Sequence, residues 1–289
     1  MLGIHNTQTD PTFNLAAEEY LLKDRQENFF MLWRNRPSII VGKHQNANAE
    51  INIDFVRKNN IDVVRRMSGG GAVFHDLGNI NYTFIQNAGE GAGIDFERYT
   101  APILEVLHDL DIDARFEGRN DLTIDGRKFS GNAQYIFRNR ILHHGTLLFS
   151  SQITDLSEAL KVNPLKYSDR AIKSVRSRVT NISEHLSQSV DVLEFIKMVM
   201  DYIVSHDERA ERYKLTEEDS ARIREYQKEK YATWEWNFGT SPRYGFRKAS
   251  KTAGGHVEVH MNVDKGVIED IRILGDFFAQ GEVCDVENG

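Results

Sequence analysis

Cysteine is nearly absent from this chain. Its 289 residues hold a single one, Cys284, close to the last residue. One thiol cannot close an internal disulfide, so a reducing cytoplasm is the expected compartment. Cys284 also lies far along the chain from every motif described below and is expected to be incidental to any chemistry. No apolar run approaches the roughly 18 residues that a membrane span needs, and the opening "MLGIHNTQTDPT" lacks a signal-peptide core, so a soluble protein is expected. Basic residues are outnumbered, 36 against 43 acidic, for a formal charge of −7, which removes the broad positive surface of a nucleic-acid binder. The patterns H-E-x-x-H and C-x-x-C are missing, so a transition metal held by protein ligands is not expected. Internal repeats and low-complexity tracts are missing too.

What is present reads as an ordinary globular balance, 40% hydrophobic and 27% charged. Asp10-Pro11 reads as a helix start, followed by Phe13, Ala16, Ala17, Tyr20 and Leu21 on one buried face. "FFMLW" (29–33) and "SIIVG" (38–42) read as adjacent buried strands, and "INYTFI" (80–85) as a half-buried strand. A helical stripe runs from 95 to 110 with Pro102 inside it, so that helix either kinks or begins late. Asp125-Gly126 signals a hairpin, and Thr216 with Asp219 a helix cap. Beyond "WEWNFGTSP" (234–242) the pattern turns to alternating strands. This places a larger unit over 1–245 and a small one over 246–289, too short for an independent core. Strands and helices mix without strict βαβ alternation, which favours an α+β fold.

Four stretches are candidates for carrying chemistry. In "RRMSGGGAVFHD" (65–76) Phe74 stands where a dinucleotide fingerprint needs its third glycine, and no P-loop pattern follows. The run therefore reads as a bent backbone whose N–H groups can face an anion, with Arg66 adding a forked cation. By itself, such a glycine run reads more readily as a flexible hairpin with two solvated arginines. In "RNDLTIDGRKFSGNAQ" (119–134) Lys128 follows a tight turn and precedes Ser130 and Gly131; alone it would be a surface charge. "KSVRSRVTN" (173–181) places Lys173, Arg176 and Arg178 in six positions, by itself a solvated face or mobile basic loop. In "ILHHGTLLF" (141–149) His143 and His144 point to opposite strand faces and make a poor metal pair.

Taken in order with "HHGTLLF" and "WEWNFG", these motifs closely resemble the lipoate-protein ligases of the lipoate/biotin ligase superfamily, over nearly the whole chain. The resemblance implies an α+β catalytic domain with a mixed sheet and a small C-terminal accessory domain that runs further than the residues after 245, so either a truncated chain or a shortened domain is expected. It implies activation of lipoate by ATP to lipoyl-AMP and pyrophosphate, then transfer of the lipoyl group to a lysine of an acceptor. The expected acceptors are lipoyl domains of 2-oxoacid dehydrogenase complexes and the glycine-cleavage H protein. By the same resemblance Arg66, Gly71, Ala72, Val73, Phe74 and Lys128 line the ATP site. Ser68, Gly70, Gly71 and Lys128 meet lipoate, and Lys173, Arg176 and Arg178 fold over the adenylate. Lys128 is expected as a buried ammonium bridging the lipoate carboxylate and the α-phosphate, with Asp121 as the one carboxylate proposed for Mg2+. Transferases of the same fold store the acyl group on a cysteine, and no cysteine precedes residue 284. A biotin ligase or a non-catalytic binder of lipoyl domains are the remaining alternatives.

Overall fold

A computed structural model describes residues 1–45, 47–88, 94–152, 179–239, 246–252 and 255–275. Its centre is an eight-stranded mixed sheet, flanked on both faces by helices. The strands are β1 (Leu2–Asn6), β2 (Phe29–Trp33), β6 (Asn79–Asn87), β7 (Ala114–Glu117), β8 (Asp121–Ile124), β9 (Arg127–Phe137), β10 (Arg140–Leu148) and β11 (Glu211–Arg212), ordered β11-β1-β2-β6-β10-β9-β8-β7. Pairing is parallel at β11-β1-β2 and antiparallel from β2 onward.

Strand β2 shows why its run is apolar throughout. Phe30 and Leu32 join the core under α4 (Phe96–Asp109) and α5 (Val192–Ser205), while Phe29, Met31 and Trp33 join the core under α1 (Pro11–Lys23) and α6 (Glu217–Tyr226). A strand covered on both faces has no solvent side on which to place polar residues. The same cover explains two departures from expectation. "INYTFI" is buried on both faces rather than half-buried, and α1 buries eleven of its thirteen residues, not one face. The polar members of this run are buried as well: Asn81 lies on the wall of a cleft described below, and Thr83 bonds Glu18 of α1.

The expected helix caps form. Asp10 accepts from the amides of Thr12 and Phe13 at the start of α1, and Thr216 and Asp219 make a reciprocal capping box at α6. Helix α4 begins at Phe96, capped by Asp95, and carries Pro102 within it. Asp125 and Gly126 take φ of 51° and 69°, the left-handed pair that a two-residue hairpin between β8 and β9 requires.

A second, three-stranded sheet holds β3 (Ser38–Val41) between β4 (Asp62–Arg65) and β5 (Val73–His75), next to the short helices α2 (Ala47–Glu50) and α3 (Ile53–Lys58). β2 and β3 therefore do not pair; consecutive in sequence, they enter different sheets. The residues between β4 and β5 do not form a hairpin either. They cross the end of β3 and bring the glycines against Gly42. Arg65, fully buried, fastens this sheet to the turn at Glu235–Gly239: its guanidinium donates to the carbonyls of Gly42, Lys43, Gln45, Trp236 and Asn237. A third sheet, β12 (Phe246–Thr252), β13 (Gly255–Asp264) and β14 (Val267–Gly275), is an antiparallel meander.

Candidate functional site

A cleft opens between the glycine run and the strands β6, β9 and β10. Its walls include Arg66, Gly70, Gly71, Ala72 and Val73 on one side and Lys128, Gly131 and Asn132 on the other. Lys128 reaches it through an irregularity. Residues 128 and 131 are three apart, so a regular strand would point them to opposite faces. The pairing of β8 with β9 slips between Leu122 and Thr123, leaving Phe129 as the extra residue of a bulge. After the slip the Lys128 chain lies across Gly131, where an added methyl would stand 2.9 Å from its Nζ. The ammonium is not buried as expected: its side chain is 42% exposed and its Nζ lies 2.7 Å from Asp121 Oδ1. We expect Gly131→Ala to push the ammonium aside and lower the maximal rate by about tenfold with little change in melting temperature. Stopped assays beside thermal melts check this.

Arg66 is placed differently from the forked cation that the motif suggests. Nε donates to Ser68 Oγ at 3.0 Å, Nη1 to the Ile40 carbonyl at 3.1 Å, and Nη2 to the carbonyls of Gly69 and Gly71 at 2.7 and 2.8 Å. The guanidinium thus sets the shape of the glycine run from within. Burial pulls its pKa down to about 10, partly offset by Glu18, and it stays charged at neutral pH. Ser68 and Phe74 are buried and do not line the cleft; Phe74 packs with Ile39 and Val41 behind it.

A buried chain of hydrogen bonds runs from Arg66 into α1. Ser68 Oγ lies 2.6 Å from His144 Nε2, and His144 Nδ1 lies 3.0 Å from Glu18 Oε1. Thr83 donates to the same carboxylate oxygen at 2.6 Å and accepts from Trp33 Nε1 at 2.9 Å. A carboxylate only accepts, so His144 donates Nδ1–H to Glu18, and its Nε2 shares a hydrogen bond with the Ser68 hydroxyl. The order serine, histidine, carboxylate is that of a hydrolase, yet Ser68 has no exposed surface and also receives the Arg66 proton. It is a strut, not a nucleophile.

Two donors on the cleft wall have no partner among the described residues. His75 Nδ1 pairs with the Asn35 amide at 3.1 Å, which leaves Nε2–H buried and unpaired, and Asn81 Nδ2 is likewise unpaired. Among the described residues no group of three or more His, Cys, Asp or Glu could hold a metal ion.

A largely apolar cleft with a cation at one end and a glycine bend at the other suits an acyl nucleotide, whose acyl chain needs apolar walls and whose phosphate needs the cation. Models of protein families decide the lineage: the lipoyl protein ligase A/B catalytic domain matches residues 10–204, and the bacterial lipoate protein ligase C-terminus matches 241–289. The chain belongs to the lipoyl protein ligase A/B family. It is 45% identical to lipoate-protein ligase 1 of Staphylococcus aureus over 98% of this chain and 87% of that protein. It is 44% identical to the lipoate-protein ligase LplJ of Bacillus subtilis over 100% and 88%. Among solved structures, a bipartite lipoate protein ligase of Thermoplasma acidophilum, studied with its E2 lipoyl domain, superposes with a TM-score of 0.73 at 29% identity, covering 84% of this chain and 98% of that one. LipL1 of P. falciparum in complex with lipoate gives 0.70 at 27% identity, covering 96% and 85%. A lipoate-protein ligase A bound with ATP gives 0.70 at 26% identity, covering 83% and 98%.

In this lipoyl ligase family member the structure gathers Arg66, Gly70, Gly71, Ala72, Val73 and Lys128 around one cleft, with Asp121 bonded to Lys128 at its side. Lys173, Arg176, Arg178 and Cys284 lie outside the described residues. His75, Asn81 and His144 escaped the sequence reading. His75 closes the quoted glycine motif and His144 sits in a noted pair, so both were visible, but only pairing of β6 and β10 turns His144 and Asn81 toward the cleft.

Burial also holds two histidines neutral. His75 and His143 are both pushed down to about 3, chiefly by desolvation, with the nearby His144 adding to each and Arg66 to His75. The unfolded chain binds these protons near pH 6.5 and the folded one does not. Their contribution is therefore full above pH 6.5 and is lost as pH falls toward 3, by up to about 1.4 kcal/mol per pH unit for each histidine. Thermal melts between pH 7 and 5 should show this slope, and His143→Gln should reduce it by about half, leaving the His75 share.

Proposed function

We propose that the cleft carries out the two steps of a lipoate-protein ligase, with Lys128 as its central cation. The carrying observation is that Lys128 and the glycine run line one cleft although 55 or more positions separate them in sequence. The chain activates lipoate with ATP. A carboxylate oxygen attacks the α-phosphorus, the bond to pyrophosphate breaks, and lipoyl-AMP remains. An acceptor lysine then attacks the acyl carbon, AMP leaves, and the amine gives up a proton. Two anions must meet in the first step, so a positive group between them lowers the barrier. Lys128 exchanges its bond to Asp121 for bonds to the carboxylate and the α-phosphate. A compact ammonium on a mobile stem suits that exchange better than a planar fork.

Arg66 keeps the glycine run in shape, and Gly71, Ala72 and Val73 offer backbone to the nucleotide; Ser68 and Phe74 support that run from behind. His75 and Asn81 supply donors to the acyl group or its phosphate. Mg2+ takes few protein ligands when phosphates are present, so the single half-exposed carboxylate of Asp121 is compatible with holding it, where it would neutralise phosphate charge. Lys173, Arg176 and Arg178 are proposed as cover for the reactive anhydride. The acceptors proposed are lipoyl domains of 2-oxoacid dehydrogenase complexes and the H protein, in the cytoplasm. No helix among the described residues is long and apolar enough to cross a membrane. The test is pyrophosphate release with lipoate, octanoate and biotin, followed by the mass of a lipoyl-domain acceptor. Release with biotin alone, or an unmodified acceptor, would refute the reading.

A further inference from the structure

In a chain with seven excess negative charges, four cations among the described residues gather on rings beside the cleft. On β9 the residues alternate, so Ala133 on the cleft wall, Tyr135 and Phe137 share a face, each pair roughly 7 Å apart. A cation sits over each ring beyond the cleft: Lys43 Nζ is 5.2 Å from the Tyr135 ring, and Lys23 Nζ and the Arg138 guanidinium are both 5.1 Å from Phe137. Lys230 extends the row, 4.0 Å above the Trp236 ring. Lys43 follows Gly42, against which the glycine run packs, so the patch begins at the cleft edge.

The patch keeps its charge. Glu19 is the carboxylate that bonds these cations, taking Lys23 and Lys230 at 2.6 Å each, and it is itself buried. Four cations against one carboxylate leave about three net positive charges on a half-buried aromatic bed. Rings that hold cations in fixed places also spare the rotamer entropy that loose surface lysines lose on contact.

Resting on the ligase reading above, we propose that this row docks the acceptor protein through acidic side chains placed beside its target lysine. The second step obliges a folded protein to cover the cleft mouth, and a surface of this charge steers a carboxylate-bearing partner there while the rest of the acidic chain repels it. An acidic collar would leave the acceptor amine as the one cation free to enter the cleft.

The test uses the full chain with the substitutions Lys43→Glu and Arg138→Glu together, and as acceptor a lipoyl domain with glutamates beside its lysine. Transfer kcat/KM is expected to fall about tenfold or more through the acceptor KM, and its dependence on salt to flatten. Pyrophosphate release from lipoate and ATP without acceptor is expected to stay within about twofold. Replacing the domain's glutamates with glutamine should depress the unsubstituted enzyme by a similar factor. Unchanged transfer, an unchanged salt dependence, or an equal fall in pyrophosphate release would overturn the docking role. Absence of pyrophosphate release from the unsubstituted enzyme would instead overturn the ligase reading itself.

Discussion

Lys128→Ala is expected to lower pyrophosphate release by about 10²- to 10³-fold, the loss that follows removal of one group aimed at transition-state charge. The fold should survive. The side chain is 42% exposed, and its partner Asp121, 38% exposed, can turn to water once the ammonium is gone. Melting temperature should therefore move little, since a half-exposed ion pair contributes at most about 1 kcal/mol. Lys128→Arg is a sharper probe. It keeps the charge but replaces a point by a rigid plane above Gly131, and is expected to recover only part of the rate. Isothermal assays of the first step, run without acceptor, separate this from any effect on transfer. Turnover within threefold of the unsubstituted enzyme would remove Lys128 from the mechanism.

Gly42→Ala should be nearly as damaging, although Gly42 does not line the cleft. A methyl there would stand 2.1 Å from the Gly70 carbonyl oxygen, and that oxygen belongs to backbone that no rotamer change can move. The glycine run must retreat by about an ångström, a displacement that can cost about 100-fold in rate. Gly70 has φ +93° and cannot relax into an ordinary conformation, and Arg66 grips the carbonyls of Gly69 and Gly71 on either side. Gly69→Ala is the control: its methyl meets nothing within 4 Å and should cost far less. Equal losses from the two substitutions would show that the run is mobile rather than held.

The helix starts, the hairpin at Asp125-Gly126 and the apolar character of β2 could be read from sequence, because each depends on neighbours in the chain. What could not be read depends on pairing at a distance. Local pattern marks "SIIVG" as a strand but cannot choose between two sheets, and the structure puts it beside residues 62–65 and 73–75. The bulge at Phe129 exists only in the register of β8 against β9, so no inspection of "GRKFSG" would reveal that Lys128 shares a face with Gly131. Arg66 carries a charge that chemistry assigns to phosphate, whereas the carbonyls of a sharp bend are nearer and take it first. Polar Asn81 and Thr83 resemble a wet strand face until α1 covers it.

The grip of Arg65 on Trp236 and Asn237 limits how this protein can be shortened. A recombinant fragment ending at residue 204, where the catalytic family model stops, would strip two carbonyl acceptors from a fully buried guanidinium and remove α6 from the sheet. Each lost bond to a charged donor is worth about 1.5–3 kcal/mol, and the pair is a large part of the stability of an ordinary domain. The smallest piece that folds must reach past Asn237, so the stretch leading into the C-terminal module is also a structural member of the catalytic half.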